Sequence, residues 1–257
     1  MRDPGLEKAI RAAGGVGALA RKIGIAQPSV SNWIRIPAER VITVEDATGV
    51  HRTVLRPDLY GDLPIDKTDE IDVARGQQYA LLAVLLARAP NAELLARLAT
   101  VRGDASPLGV AHAALAQAAA AANVERIERE FFDLFIGIGR GELLPYGSYY
   151  LTGFLNERPL ARVRADLERL GVERVTGHVE PEDHAAVLCD IMAGLADRRF
   201  KAAPGADLDF FEKHLAPWIG RFFADLEQAQ AADFYRRVGT VGQLFIAVES
   251  EAFTLAA

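Results

Sequence analysis

The sequence predicts an all-α protein, on three observations. Apolar residues recur at helical spacing through most of the chain, as they do from Val73 to Arg88. Residues that begin helices precede several such segments, including Asn91 and the pair Ser106 and Pro107. No segment of useful length alternates apolar and polar residues, and the punctuation of βαβ units is absent. A nucleotide-binding α/β fold is therefore not expected.

Composition indicates a soluble globular protein. Of 257 residues, 50% are hydrophobic and 25% are charged, and a chain of this length forms one large or two ordinary domains. The single cysteine, Cys189, excludes an internal disulfide framework and a multi-cysteine metal site. The N-terminus lacks the apolar segment of a secretory signal, and the longest apolar-rich run, Ala80–Leu86, is too short to span a bilayer. We therefore expect a cytoplasmic protein without a membrane span.

Charge divides the chain into two modules. Residues 1–62 contain nine Lys and Arg and seven Asp and Glu, a balance of +2, whereas the remainder has a balance of −8. Between them, residues 58–72 are polar and acidic and contain Gly61 and Pro64, as linkers do. We predict a first domain over residues 1–61, a linker over 62–72 and a second domain over 73–257.

The first module has the pattern of a helix-turn-helix domain. Gly24 suits the tight turn before the third helix, and Ala20 is small where the second and third helices must approach closely. Val30 and Ile34, one helical turn apart, are expected to fix the third helix to the core. The predicted helices are Leu6–Ala13, Val16–Ile23 and Gln27–Arg35.

Five polar residues of the third predicted helix are left to face outward, namely Gln27, Ser29, Ser31, Asn32 and Arg35. Gln and Asn pair with adenine and Arg with guanine, so these residues suit base-edge and phosphate contacts in double-stranded DNA. Through GALARKIGIAQPSVSNWIR and the later ATGVHRTVLRPDLYG, this module resembles the YdaS/Cro-like antitoxin and repressor domains. The alternative is a three-helix scaffold that does not bind DNA, because a charge of +2 is weak for phosphate contacts.

Helices are predicted throughout the second module. Asn91, Ser106 and Asn123 are expected to cap helices, Gly171 to end one, and Pro217 to kink another. The predicted helices are Val73–Arg88, one from Asn91 to Thr100, one from Ser106 to Ala122, one that starts at Asn123, and then Pro159–Leu170, Pro181–Ala196, Leu208–Ala229 and Ala231–Phe253.

The stretch Glu130–Leu151 combines an amphipathic helix, a glycine-rich loop and a second helix start. Phe131, Leu134 and Phe135 share one helical face. Three alternate glycines follow and are expected to form a hinge loop, and Pro145 prevents the helix from continuing. Two aromatic surfaces are therefore expected beside one flexible loop.

This stretch resembles the signature of the TorD/DmsD chaperones, which assist the maturation of molybdoenzymes. That signature has an acidic residue, an aromatic-rich Leu-Phe helix, a Gly/Pro loop and then Pro-Tyr-x-Ser-x-Tyr. The matching residues are Glu130, Leu134, Phe135, Gly139, Pro145, Tyr146, Ser148 and Tyr150. Two further segments of the family follow at Pro181–His184 and Phe211–Phe223. Gly147 departs from the pattern, because many relatives carry an acidic residue there.

The resemblance implies an all-helical chaperone without a cofactor, whose client is the catalytic subunit of a molybdoenzyme, with a formate dehydrogenase as one candidate. It implies that the twin-arginine leader peptide or the apo form of this subunit binds at Glu130, Phe131, Leu134, Phe135, Pro145, Tyr146, Ser148, Asp183, His184 and Trp218. In this hypothesis Glu130 and Asp183 hold the leader's arginines by charge-assisted hydrogen bonds. An apolar groove that includes Phe131 and Tyr146 takes the leader's apolar segment.

Enzymatic function is not expected. The three alternate glycines follow no predicted strand and precede no Gly-Lys-Ser/Thr, which argues against a phosphate loop. Asp183 and His184 are adjacent on a predicted helix and would point about 100° apart, which is unsuited to a catalytic pair. The histidines lack metal-ligand spacing, so no metal site is predicted. The alternative function is a DNA-binding transcriptional regulator whose helical domain senses a leader peptide or a cofactor state, and a homodimer is compatible with either function.

Overall fold

The computed structural model describes residues 2–60, 67–173, 180–200 and 202–256. Within these ranges the regular structure is helical, and the extended pairing is an isolated bridge between Tyr146 and His184. The all-α prediction is confirmed. Contacts divide the chain into two compact units, Met1–Ile71 and Asp72–Ala257, each of which has its own apolar core.

The first unit is built from short helices around a small core. Its helices are α1 (Pro4–Ala13), α2 (Val16–Lys22), α3 (Gln27–Ser31), α4 (Val41–Thr48), α5 (Arg52–Leu55) and α6 (Pro57–Tyr60), with a 3-10 turn at Ala38–Arg40. Asp3 caps α1, because its carboxylate accepts a hydrogen bond from the N–H of Gly5 at 2.9 Å. Gly24 has a φ of +70°, as the predicted turn requires, and Ala20 and Val30 are buried as expected.

The third helix is shorter than predicted. It ends at Ser31, and Ile34 beyond it is 71% exposed, whereas Ile36 is fully buried. The prediction that Ile34 fixes this helix to the core is therefore wrong. The carbonyl of Ile34 accepts the N–H of Asp3 at 2.8 Å instead of a helical partner. Pro37 disfavours helical geometry at Ile36, so the chain leaves the helix and buries the later isoleucine.

The helix that leads into the second unit overlaps the predicted linker. It starts at Lys67, within residues 62–72. The guanidinium of Arg75 binds the carboxylate of Asp72 at 3.1 Å, which stabilises the first turns. Gly61 and Pro64, which suggested the linker, lie outside the described residues.

Helices of 5 to 23 residues form most of the second unit. They are α7 (Lys67–Ala87), α8 (Ala92–Leu98), α9 (Pro107–Ala120), α10 (Val124–Phe131), α11 (Gly147–Thr152), α12 (Arg158–Leu170), α13 (Ala185–Ala196), α14 (Ala206–Phe210), α15 (Ile219–Gln228) and α16 (Phe234–Ala256). Helices α10 and α14 each continue as a π-helical turn, at Phe132–Ile136 and Phe211–Leu215. The side chains of Asn91, Ser106 and Asn123 accept backbone N–H groups at the starts of α8, α9 and α10, as predicted.

Two predicted helices differ from those observed. The helix expected from Leu208 to Ala229, with a kink at Pro217, is interrupted there. The chain leaves helical geometry between the π-helical turn and α15. The helix expected from Pro181 begins only at Ala185. Residues before Ala185 are instead drawn into contact with the segment that precedes α11, as described below.

Candidate functional site

The glycine-rich loop after α10 folds back onto the helix that precedes it. Gly137 has a φ of +60°, which reverses the chain direction at little cost for glycine. The N–H of Leu143 then donates to the carbonyl of Leu134 at 2.8 Å, and the N–H of Glu142 donates to the carbonyl of Asp133 at 3.1 Å. Two backbone bonds thus hold the loop against the π-helical turn.

Asp183 joins the loop that precedes α13 to the start of α11. Its buried carboxylate accepts the N–H of Ser148 at 2.8 Å, and α11 has no side-chain cap of its own. The carbonyl of Asp183 accepts the N–H of Gly147 at 2.9 Å, and the N–H of Ala185 donates to the carbonyl of Pro145 at 2.8 Å. This extended pairing explains why α13 begins after residue 184.

His184 caps α13 rather than lying within it. Its Nδ1 accepts the N–H of Ala186 at 3.1 Å, and its ring meets the edge of Tyr146 at 5.0 Å between centroids. Burial lowers the pKa of the His184 imidazole to about 4. Asp183 and His184 therefore bond to different backbone amides, and the structure assembles no acid–base pair from them.

Glu130 caps a second helix. The glutamate is buried, and its two carboxylate oxygens accept the N–H groups of Asp233 at 2.8 Å, Phe234 at 3.2 Å and Tyr235 at 2.7 Å. These are the unsatisfied donors at the start of α16. Glu130 and Asp183 thus both serve as internal caps, and contact of their carboxylates with a leader's arginines stays a prediction.

The aromatic residues of the predicted site are partly covered. Leu134 and Trp218 are buried, whereas Phe131, Phe135 and Tyr146 are half-buried. Phe131 and Phe135 pack on Tyr235, whereas Tyr146, Pro145, Ser148, Asp183 and His184 form a separate group of contacts. The contacts of these residues thus form two groups, one around Tyr235 and one around Asp183.

Trp218 explains the glycine at position 147. Its indole N–H donates to the carbonyl of His214 at 2.7 Å, and its ring packs against Tyr150 at 5.3 Å. A Cβ at Gly147 would lie 3.2 Å from the Nε1 atom of Trp218. This is shorter than an ordinary van der Waals contact, so the rigid indole would have to shift. The departure from the family pattern thus matches a close approach to this ring.

An open cleft lies beside these clusters, and sequence reasoning did not find it. Its volume is about 460 Å³, and its lining is Arg140, Glu142, Leu143, Leu144, Tyr149, Tyr150, Leu151, Gly153, Arg221 and Asp225. Arg140 donates to the hydroxyl of Tyr149 at 2.7 Å, and the hydroxyl of Tyr150 donates to Asp225 at 2.9 Å. Tyr149 and Tyr150, which follow Ser148 of the signature, are the sequence feature that could have indicated this cleft.

Large apolar side chains that face solvent lie in, or close in sequence to, the segments that line this cleft. Ile138 is 99% exposed and lies two residues from Arg140, while Phe154 is 69% exposed and adjoins Gly153. Leu151, which lines the cleft, is 43% exposed, and the neighbouring Leu155 is 44% exposed. We call Ile138, Leu151, Phe154 and Leu155 the apolar rim. Exposed apolar residues grouped in this way are typical of a surface that binds another protein or a peptide.

The first unit presents the polar residues that were predicted to contact DNA. Gln27, Ser29, Ser31, Asn32 and Arg35 are all exposed. The first three lie on α3, whereas Asn32 and Arg35 follow its end. Whether these residues bind DNA remains a prediction.

The described residues show neither a metal-ligand cluster nor a membrane-spanning helix. In the described ranges, no three His, Cys, Asp or Glu side chains are grouped as metal ligands would be. His178 lies outside those ranges. None of the described helices combines the length and apolarity that crossing a membrane requires.

Comparisons with known proteins agree with both units. Residues 102–224 match the family model described as nitrate reductase delta subunit, and residues 6–64 match the model described as bacterial toxin YdaS. The chaperone protein TorD of Vibrio cholerae is 32% identical over 126 residues, which are 46% of this chain and 57% of that protein. TorD of Aliivibrio fischeri is 29% identical over 122 residues, 44% of this chain and 57% of that protein. The chain joins a YdaS-like unit to a TorD-like unit.

The matched segment of the TorD-like unit contains every predicted leader-binding residue, from Glu130 to Trp218. It also contains the apolar rim and Arg221 of the cleft, whereas Asp225 falls just beyond it. The chain spans 57% of the length of the curated TorD relatives named above. Among solved structures, a candidate redox enzyme maturation protein from Archaeoglobus fulgidus aligns with a TM-score of 0.46 and 18% identity over 68% of this chain and 93% of that one.

Proposed function

We propose that the TorD-like unit is a chaperone for the catalytic subunit of a molybdoenzyme, and that it binds this client without catalysing a reaction on it. The observation that carries the proposal is an open cleft lined in part by the signature loop, with the exposed side chains of the apolar rim in the same segments of the chain. The likeness to TorD chaperones supports the assignment to this class of protein. A formate dehydrogenase is the client to test first.

The twin-arginine leader of the client is the proposed ligand of the cleft. Its apolar segment would cover Ile138, Phe154 and the rest of the rim, and burying such side chains stabilises a complex by about 1.5–3 kcal/mol each. Its arginines would bind Asp225, an exposed carboxylate of the cleft, whereas the two oxygens of Glu142 already accept the N–H groups of Gln230 at 2.7 Å and Ala231 at 2.9 Å. The balance of −8 outside residues 1–62 favours such a cationic partner. Glu130, Phe131, Tyr146, Asp183 and His184 would act beneath this surface by holding its helices.

Fluorescence anisotropy with a labelled leader peptide tests this proposal. Phe154→Ser should weaken binding about tenfold, because it removes an exposed apolar contact without opening the core. Val110→Ser is the matched control, since Val110 is 59% exposed on α9 and lies outside the rim. A peptide with both arginines changed to lysine should also bind more weakly. Equal affinity of Phe154→Ser and wild type would exclude the rim.

The apo form of the client is the second possible ligand. A client subunit that lacks its leader separates the two cases. If it binds as tightly as the full precursor, the folded or partly folded subunit is the target. If binding is lost, the leader is the target.

We further propose that the YdaS-like unit binds double-stranded DNA, which would make the chain a transcriptional regulator that senses a leader. The supporting observation is the exposure of Gln27, Ser29, Ser31, Asn32 and Arg35. A mobility-shift assay with the full chain should show binding that weakens with salt and weakens again in Arg35→Ala. Sedimentation of the same samples tests the homodimer, which would favour a palindromic site. No salt-sensitive shift would leave this unit as a scaffold.

A further inference from the structure

A buried arginine fixes the carboxylate of Asp58 in the YdaS-like unit. Arg56 is 8% exposed, and its Nη1 donates to the carbonyl of Ile36 at 2.5 Å. Its Nε and Nη2 donate to the two oxygens of Asp58, each at 2.8 Å. Such a two-point contact fixes the orientation of a carboxylate as well as its position. Asp58 is therefore anchored to the core, although its side chain reaches the surface.

The same carboxylate holds Arg35. The Nη1 of Arg35 donates to Oδ2 of Asp58 at 3.2 Å, and these side chains are 57% and 45% exposed. An isolated exposed ion pair adds little to stability, because two flexible side chains must be ordered together. Here Asp58 is already ordered by Arg56, so only Arg35 loses rotamer freedom. The guanidinium of Arg35 keeps four of its five N–H groups for other partners.

We propose that Asp58 is a positioning residue that orients Arg35 to contact a guanine base in double-stranded DNA. The inference rests on the proposed DNA binding of this unit. Bidentate contact with guanine requires a guanidinium that is held in one plane, and an arginine oriented before binding loses less freedom on contact. Hydrogen bonds from Arg56 lower the pKa of Asp58 to about 2, so the carboxylate stays ionised at neutral pH.

Sequence preference and overall affinity should respond differently to Asp58→Asn. The substitution removes a negative charge near the DNA, so affinity for unrelated duplex should stay equal or rise. It also loosens Arg35, so the preference for guanine at one position should fall. A residue with only a structural role would not separate these two quantities.

Selection from a random duplex pool with the full chain tests the inference. Arg35→Ala should reduce preference at one guanine position by roughly 5- to 150-fold, which identifies the contacted base. Asp58→Asn should reduce preference at that position by at least about fivefold. Glu45→Gln is the matched control, because Glu45 binds Arg52 in the same unit at 2.7 Å and does not contact Arg35.

Asp58→Glu guards against loss of folding, since it keeps a countercharge for Arg56 but displaces the carboxylate. It should retain the thermal unfolding midpoint more closely than Asp58→Asn and still lose guanine preference. Unchanged preference in both Asp58 variants would overturn the positioning role while leaving DNA binding intact. If the wild type enriches no duplex, DNA binding and the positioning role both fall.

Discussion

The carboxylate of Asp183 accepts a hydrogen bond from the N–H of Ser148 at 2.8 Å, although 35 residues separate them in the chain. It supplies the cap that α11 lacks locally. Glu130 performs the same task for α16 from a still greater sequence distance. Two residues from the family-like segments therefore stabilise helix starts.

Asp183→Asn should destabilise the TorD-like unit. The substitution weakens a charge-assisted bond to the start of α11, and loss of a cap costs about 0.5–2 kcal/mol. Thermal unfolding should show a lower midpoint, by a few degrees. Asp209→Asn is the control, because the side chain of Asp209 is 71% exposed. An unchanged midpoint in Asp183→Asn would contradict the capping role.

Glu130→Ala should lower the free energy of unfolding by about 1–3 kcal/mol. It leaves buried N–H groups at the start of α16, including that of Tyr235, without their acceptor. Glu128→Ala, on the exposed face of the same helix, should have little effect. Urea denaturation measures both. Equal stability of these two variants would show that the contacts of Glu130 are dispensable.

Arg75→Met should be among the most destabilising single changes in the chain. Arg75 binds Glu249, whose side chain is 2% exposed, and also Asp72 and Asp207. Removing one partner of a buried ion pair costs about 3–5 kcal/mol, because the other charge stays buried. The double variant Arg75→Met with Glu249→Leu should lose less than the sum of the single variants. Simple additivity in urea denaturation would argue against direct coupling.

Acid should weaken the TorD-like unit partly through His184. Burial lowers its folded pKa from 6.5 to about 4, so between these values the unfolded chain binds more protons than the folded one. Its contribution to stability is complete above pH 6.5 and declines as pH falls towards 4, by up to about 1.4 kcal/mol per pH unit. The curve of unfolding free energy against pH should be flatter in His184→Asn. A parallel curve for His184→Asn would reject this role.

Local signals predicted the helices well but did not indicate the hydrogen-bond partners of the carboxylates of Glu130 and Asp183. The side chains of Asn91 and Asn123 accept N–H groups three residues ahead, so these caps can be predicted from the local sequence. The partner of Glu130 lies more than 100 residues away, and nothing near Glu130 in the sequence indicates it. Ile34 and Ile36 are chemically equivalent, and only the end of α3 decides which of them is buried.

The amino-acid order alone determined the all-α class, the two kinds of unit and most helix starts, because periodicity and capping act over a few residues. Tertiary packing decided which signature residues became internal caps and which apolar side chains, such as Ile138 and Phe154, remained in solvent. Those outcomes depend on which distant backbone N–H groups lack partners and on how helices cover one another. A buried carboxylate can accept hydrogen bonds from any N–H groups that the fold places beside it. When those groups are distant in sequence, the residues around the carboxylate do not indicate them.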